Sequence, residues 1–166
     1  IQNLEEILSV SDGIMVARGD LGTEIPSEVV PIEQKKMIKT CRRLNKICIV
    51  ATEMLETMMQ NTRPKRAETS DIANAVLDGT DAVMLSGETT VGHHPIETVE
   101  AMARICEVTE EYAEFSYIEQ VRKVKNARDA IAVSVVDTAN RVNANLITTA
   151  TVHGRTARLI SNFRPV

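Results

Sequence analysis

The sequence has few of the features that mark several common protein classes. It contains only three cysteines, an odd and widely spaced set (Cys41, Cys48 and Cys106). That number excludes a disulfide framework or a cysteine zinc site and is typical of reduced thiols in a cytoplasmic protein. Positive charge is not in excess, since the net charge is −4, so no general nucleic-acid-binding surface is expected. No apolar run approaches about 18 residues, so no membrane-spanning segment is expected.

Three short apolar runs stand out at regular spacing, and each is of strand type. They are GIMVA (13–17), ICIVA (47–51) and DAVML (81–85). Because each run is continuously apolar, we expect strands buried on both faces of a parallel sheet. Helical patterns lie between them, in PIEQKKMIKTCRRLN (31–45) and in AETSDIANAVLDG (67–79), where Gly79 suits a helix C-cap. The order therefore predicts successive βαβ units.

The number of strands limits the architecture. Three strands are too few for a closed eightfold barrel, which needs roughly 250 residues. The first residues, IQNLEEILSV, begin without Met and carry no basic signal-peptide segment. A small open sheet and the last part of a barrel both remain possible, and we favour the barrel fragment.

The region that follows changes character. A further helix is predicted from Pro95 to about Tyr117, ending in a run of acidic residues and three of the four aromatics, and the basic stretch VRKVKNAR comes next. This shift predicts a domain boundary. Beyond it we predict an amphipathic helix at 127–142, a strand at LITTAT (146–151) and the start of another helix in RTARLISNF (155–163).

Polar residues follow each of the three predicted strands. They are Arg18-Gly19-Asp20, Thr52-Glu53, and Ser86-Gly87-Glu88-Thr89. In parallel α/β proteins ligands bind at the carboxyl ends of strands, and carboxylates there can hold a hard cation such as Mg²⁺. Each group taken alone is more simply a helix cap or turn, but three at one sheet edge favour a site for an anionic substrate.

Several long motifs resemble the pyruvate kinase family. They are DGIMVARGDLGTEIP, ATEMLETM, NTRPKRAETSDIANAVLDGTDAVMLSGETTVGHHP, EAMARIC and, more loosely, TARLISNFRP. The resemblance implies an α/β fold in which residues 1–118 are the last three βα units of a TIM (β/α)8 barrel. Residues 119–166 would begin the C-terminal α/β domain.

The resemblance also implies roles for individual residues. The backbone amides of Gly19 and Asp20 would bind the carboxylate of phosphoenolpyruvate, and Asp20 would ligate the catalytic Mg²⁺ or Mn²⁺. Thr52 would hydrogen-bond the substrate near the carbon that is protonated. Ser86 and Glu88 would belong to the network that supplies the proton. Arg18, grouped with the substrate-binding residues, would brace the loop or a subunit contact.

The implied activity is phosphoryl transfer from phosphoenolpyruvate to ADP, giving pyruvate and ATP in the last step of glycolysis. The family suggests a cytoplasmic homotetramer that also uses K⁺. Its K⁺ and nucleotide contacts, its catalytic lysine and its second metal carboxylate would lie before Ile1, so we expect these 166 residues alone to be inactive and to associate. Glu53 departs from the glutamine usual in the family.

A second predicted site lies in the C-terminal unit. Four of its residues match the loop that binds a phosphate of a sugar-bisphosphate effector in regulated pyruvate kinases: Thr151, Gly154, Arg155 and Thr156. His153 stands where the family often has serine. Helix capping is the favoured alternative for this stretch.

Two other functions stay open from the sequence. One is a non-catalytic regulatory or interaction module derived from the barrel, which fits the missing upstream residues. The other is a different metal-dependent enolate enzyme, a lyase or aldolase on a similar barrel. The stretches RPKRAETSDIANAV and LSGET speak against the second.

Overall fold

The computed structural model describes residues 3–112, 126–163 and 165. The chain divides into two compact units, Ile1–Glu114 and Phe115–Val166. The domain boundary predicted between residues 118 and 119 falls outside the described residues and stays a prediction.

The first unit is built on a parallel three-stranded sheet. Its strands are β1 (Gly13–Ala17), β2 (Ile47–Ala51) and β3 (Ala82–Met84), in that spatial order. The strands predicted at 13–17 and 47–51 are confirmed, and β3 is one residue shorter at each end than predicted. Gly13 is required by its register with Ile47, because a Cβ there would lie 2.5 Å from the Ile47 carbonyl oxygen.

Helices connect and follow the strands. In chain order they are α1 (Leu4–Val10), α2 (Arg18–Glu24), α3 (Val30–Leu44), the 3₁₀ helix Glu56–Met59, α4 (Arg66–Asp78), α5 (Gly87–Thr90) and α6 (Pro95–Tyr112). The predicted helices between the strands are confirmed as α3 and α4. Gly79 ends α4 at φ +86°, the left-handed conformation that favours glycine, as predicted. The predicted part of α6 beyond Tyr112 lies outside the described residues.

Burial of the sheet is one-sided, contrary to the sequence prediction. Val16, Cys48 and Val50 are at most 1% exposed, and α3, in which Ile38 and Cys41 are fully buried, packs against β1 and β2. These three strand residues therefore lie on the face that packs against helix. Most residues that alternate with them on the other face are partly or largely exposed, with Met15 at 49%, although Ala51 at the end of β2 is fully buried. Burial on both faces was the wrong prediction, because the helices of the described residues cover one face.

Not every apolar residue of the helices between the strands is buried. Ile38 and Cys41 of α3 are buried, but Ile32 is exposed. Ile32 lies six residues, or about 120° around the helix, from Ile38, so the same core cannot cover both. On α4, Ile72, Ala75 and Val76 are buried, while Leu77, about 140° around the helix from Ile72, is exposed.

The second unit contains two described helices, α7 (Ala127–Arg141) and α8 (Arg155–Asn162). Five buried residues join them: Ala132, Val136, Leu159, Ile160 and Phe163. The strand predicted at 146–151 is wrong, since those residues form no strand; Ile147 packs against the helical core instead. A strand needs a neighbour for its backbone hydrogen bonds, and residues 126–163 offer no second extended segment paired with this one. No helix in the described ranges is long and apolar enough to cross a membrane.

Candidate active site at the strand ends

The three strands end at one edge of the sheet, and the predicted site residues follow directly. β1 runs into α2 at Arg18, β2 runs into a turn that begins at Thr52, and β3 leads to Ser86 and α5. We call residues 52–55 the 52–55 turn. Since the strands are parallel and in register, with Ala17 opposite Ala51 and Ala51 opposite Met84, all three groups emerge on the same side.

The first and second strand ends are joined by a direct hydrogen bond. The backbone N–H of Gly19 donates to Oγ1 of Thr52 at 2.9 Å. Gly19 is the second residue of α2, and the first amides of a helix have no partner within the helix. Thr52 therefore caps α2 from the neighbouring strand. A hydroxyl that accepts this bond still has its own proton to donate.

Arg18 holds the 52–55 turn by its backbone carbonyls. Nη2 donates to the oxygens of Thr52 (2.6 Å) and Glu53 (3.1 Å), and Nε donates to Thr52 O at 3.2 Å. Nη1 forms an ion pair with Asp71 of α4. The Arg18 side chain is only 12% exposed, so these contacts form in a largely dry environment. The guanidinium fork is thus occupied on both of its edges.

The backbone of the turn explains why such support is needed. Thr52 and Glu53 adopt φ angles of +69° and +52°, in the left-handed region that side-chain-bearing residues rarely occupy. Such conformations cost about 1–3 kcal/mol each and persist where surrounding contacts enforce them. Arg18 contacts the carbonyl of both residues. The Glu53 side chain is exposed, so its charge lies on the surface.

Glu88 holds the same turn by its amide side. The residue is 3% exposed, and its carboxylate accepts hydrogen bonds from the N–H of Leu55 (3.1 Å) and of Ser86 (2.8 Å). Burial alone would raise the pKa of the Glu88 carboxyl. The hydrogen bonds from backbone N–H groups outweigh burial, so its pKa is held below the ordinary value. Glu88 is consequently an ionised, buried carboxylate at neutral pH.

Asp20 lies at the same edge but faces solvent. Its side chain is exposed, while its backbone oxygen accepts a hydrogen bond from the hydroxyl of Thr23 at 2.7 Å. Carboxylate oxygen is the ligand that Mg²⁺ prefers, so Asp20 fits a metal role. No group of three histidine, cysteine, aspartate or glutamate residues that could hold a metal occurs in the described part of the chain. Asp20 therefore offers one ligand and not a complete site.

The predicted effector residues belong to the second unit, where they lie directly before α8 and in its first turn. Gly154 is the N-cap of that helix at φ +70°, and no side chain caps it. Thr151 and Arg155 are exposed, and Thr156 is half-buried. Their proposed role is untested by this geometry and stays a prediction.

Two residues that build the strand-end site were missed by the sequence reasoning. Asp71 anchors Arg18, and the Leu55 amide ties the turn to Glu88. Asp71 lies inside the motif AETSDIANAV, so its place was visible, but its partner is 53 residues away. Nothing in local periodicity reveals such a pairing.

Comparisons with known proteins agree with the motifs. A family model described as the pyruvate kinase barrel domain matches residues 1–99, and a second, described as the pyruvate kinase alpha/beta domain, matches residues 129–166. The chain belongs to the pyruvate kinase family. The family resemblance is therefore confirmed for both of the units that the structure describes.

Individual relatives are similar along nearly the whole chain. A pyruvate kinase of Bacillus licheniformis is 51% identical over 99% of this chain, and one of Thermococcus litoralis is 48% identical over 99%. A crystal structure of a pyruvate kinase from Cryptosporidium parvum matches with a TM-score of 0.89 and 49% identity over 98% of this chain. The chain spans 29% and 36% of the two curated relatives and 34% of the solved structure.

Proposed function

We propose that this chain forms the last three βα units of a pyruvate kinase (β/α)8 barrel, followed by the beginning of the C-terminal α/β domain. In the complete enzyme the barrel part would help transfer the phosphoryl group of phosphoenolpyruvate to ADP. The observation that carries the proposal is the bond between Gly19 N and Thr52 Oγ1, because it joins two residues that the resemblance assigns to the same substrate. The adjacent, exposed Asp20 carboxylate adds a cation ligand at that place.

Substrate binding is assigned to the first two strand ends. The amides of Gly19 and Asp20 would donate to the substrate carboxylate, which would take the place of the Thr52 hydroxyl as partner of Gly19 N–H. Thr52 would then be released to donate to the substrate near the carbon that gains a proton. The pairing seen here keeps both groups in place and available.

At the third strand end, Glu88 would fix the backbone and would not donate a proton itself. A carboxyl with a lowered pKa is ionised at neutral pH and is a poor proton donor. Within the predicted proton-supplying network we therefore assign Glu88 the role of fixing the backbone of Ser86 and Leu55. The Ser86 hydroxyl would be the group of this pair that can relay a proton.

The metal is expected to be Mg²⁺ or Mn²⁺ with Asp20 as one ligand. When bound, such a cation neutralises charge on the phosphoryl and enolate oxygens. Its further ligand, the catalytic lysine and the K⁺ contacts are expected in other parts of the complete protein. A homotetramer in the cytoplasm is likewise proposed from the family.

The effector residues of the second unit remain a separate proposal. Thr151, Gly154, Arg155 and Thr156 would contribute to an anion site before α8. The exposure of Arg155 and the left-handed Gly154 support this, but both also suit a simple helix start. The non-catalytic module remains the alternative function, because the chain by itself supplies only part of the site.

The test is a full-length chimera in which this chain replaces the matched segment of an active pyruvate kinase. We expect the chimera to convert phosphoenolpyruvate and ADP with Mg²⁺ in a coupled assay, at a rate within about tenfold of the unmodified enzyme. A folded chimera without activity would favour the non-catalytic module.

The isolated chain provides the complementary test. Strands β1 and β3 each have one neighbour among the described residues, and Met15 and Ile47 are about half exposed. Unpaired edges and apolar faces promote association. We expect the 166 residues alone to be inactive and to elute as oligomers or aggregates; an active or monodisperse monomer would contradict this.

A further inference from the structure

We infer that Asp71 is a positioning residue for the strand-end site, acting through Arg18 to hold the Thr52 hydroxyl against the Gly19 amide. The inference rests on the proposed function for its catalytic consequence. Asp71 lies on α4, outside every motif position given a role above. Its side chain forms an ion pair with Arg18.

The ion pair between Asp71 and Arg18 fixes the orientation of the guanidinium group. Asp71 accepts from Nη1 of Arg18, and the opposite edge of the guanidinium donates to the Thr52 and Glu53 carbonyls. A guanidinium is planar and rigid, so fixing one edge fixes the direction of the other. Asp71 thereby determines where Arg18 presents its donors.

The Arg18 donors in turn hold the backbone of Thr52 and Glu53. Thr52 and Glu53 are both left-handed, which is an unfavourable conformation for either residue. Without charged donors on their carbonyls, the turn is free to relax toward ordinary φ values. Rotation of the Thr52 backbone would carry its side chain away from Gly19 N, which lies 2.9 Å from Oγ1.

A control variant is needed to separate positioning of the turn from a general loss of stability. The ion pair is only partly buried, with the Arg18 side chain 12% exposed and the Asp71 side chain 38% exposed, so its removal affects stability as well as the turn. The same helix carries a second pair, Lys35 with Asp78, which does not involve the 52–55 turn. Asp78→Asn is therefore a matched control for Asp71→Asn, since helix, residue type and loss of charge are the same.

The first measurement is amide hydrogen exchange in the full-length chimera without substrate, followed in peptides that contain Gly19 and Leu55. We expect Asp71→Asn to speed exchange at Gly19 at least several-fold and Asp78→Asn to leave it unchanged. Arg18→Lys provides a second route, because a single ammonium cannot reach Asp71 and both carbonyls together. Unchanged exchange at Gly19 in the folded variants would overturn the inference, whether or not the chimera is active.

The second measurement is kinetic. We expect Asp71→Asn to lower kcat about tenfold to a hundredfold, with KM for ADP little changed, as for other groups that orient a reacting side chain. In a Thr52→Val background Asp71→Asn should cause almost no further loss, because the hydroxyl that it positions is gone. An equal loss in both backgrounds would assign Asp71 a structural role only. An inactive parent chimera would count against the proposed function, and hydrogen exchange would still decide the role of Asp71.

Discussion

The 52–55 turn is held from two sides by groups of opposite charge. Arg18 binds its carbonyls, and Glu88 binds the amide of Leu55. The two sides differ in how each charge is balanced. The charge of Arg18 is balanced by another side chain, Asp71, whereas the Glu88 carboxylate accepts hydrogen bonds from the backbone N–H groups of Leu55 and Ser86. We infer that the Arg18 side can be adjusted by single side chains, while the Glu88 side is fixed by the main chain of the fold.

Asp20 follows Arg18 by two residues, and its side chain is exposed to solvent, unlike Arg18 and Glu88. Asp20→Asn in the full-length chimera should lower kcat by about a hundredfold or more at fixed Mg²⁺, since one anionic metal ligand is lost. The melting temperature should not change, because the side chain is exposed. Activity within a few-fold of the parent across a Mg²⁺ titration would remove Asp20 from the metal site.

Thr52 begins the turn that Arg18 and Glu88 hold, and it carries the hydroxyl that pairs with Gly19. Thr52→Ser keeps the hydroxyl and Thr52→Val keeps the shape. We expect Val to reduce kcat about tenfold or more relative to Ser while both variants stay folded, because only Ser keeps the hydroxyl that would donate to the substrate. Equal activity of the two variants would make Thr52 a cap residue without a catalytic role.

Glu88 should matter more for stability than Arg18 does. In Glu88→Gln an amide group replaces one acceptor oxygen and faces a backbone N–H, which should cost about 1–3 kcal/mol because a buried donor is left unpaired. Arg18→Lys keeps the positive charge and some of the carbonyl contacts, so its loss should be smaller. Chemical denaturation of both variants measures the difference, and the reverse order would contradict the assignment of the Glu88 side as the fixed one.

The pH dependence gives a smaller and more specific effect. The Glu88 pKa is lower in the folded state than in the unfolded chain, so its ionised form stabilises the fold. That contribution is fully present above the unfolded pKa, about 4.3, and is lost as pH falls through the folded value. The stability difference between the parent and Glu88→Gln should therefore be largest near neutral pH and shrink in acid. A difference that is constant down to the folded pKa and below it would show that Glu88 does not titrate as described.

Much of the fold followed from the sequence because local patterns determine it. The strands at 13–17 and 47–51, the helices α3 and α4, and the Gly79 cap depend on apolar runs, helical periodicity and a left-handed position. The strand predicted at 146–151 failed because a strand depends on a partner, which periodicity cannot supply. The one-sided burial of the sheet was not predicted for a related reason. The sequence of a strand does not show which of its faces a helix will cover.

The location of the candidate site could be predicted from the sequence, but the contacts that hold the 52–55 turn could not. Parallel strands bring their carboxyl ends together, which was enough to group Gly19 with Thr52 and Ser86. The left-handed turn and its contacts with Arg18 and Glu88 depend on pairs more than 30 residues apart in sequence. Such pairs become visible only when the chain is folded.

The central claim is that these strand ends form the substrate and metal side of a pyruvate kinase site. The most direct test is a crystal structure of the full-length chimera with Mn²⁺ and a non-reactive analogue of phosphoenolpyruvate, with Mn²⁺ located by its anomalous scattering. We predict the ion about 2.1 Å from an Asp20 carboxylate oxygen, with the carboxylate of the analogue on the amides of Gly19 and Asp20. Mn²⁺ and the analogue bound away from residues 18–20 and 52 would contradict the account.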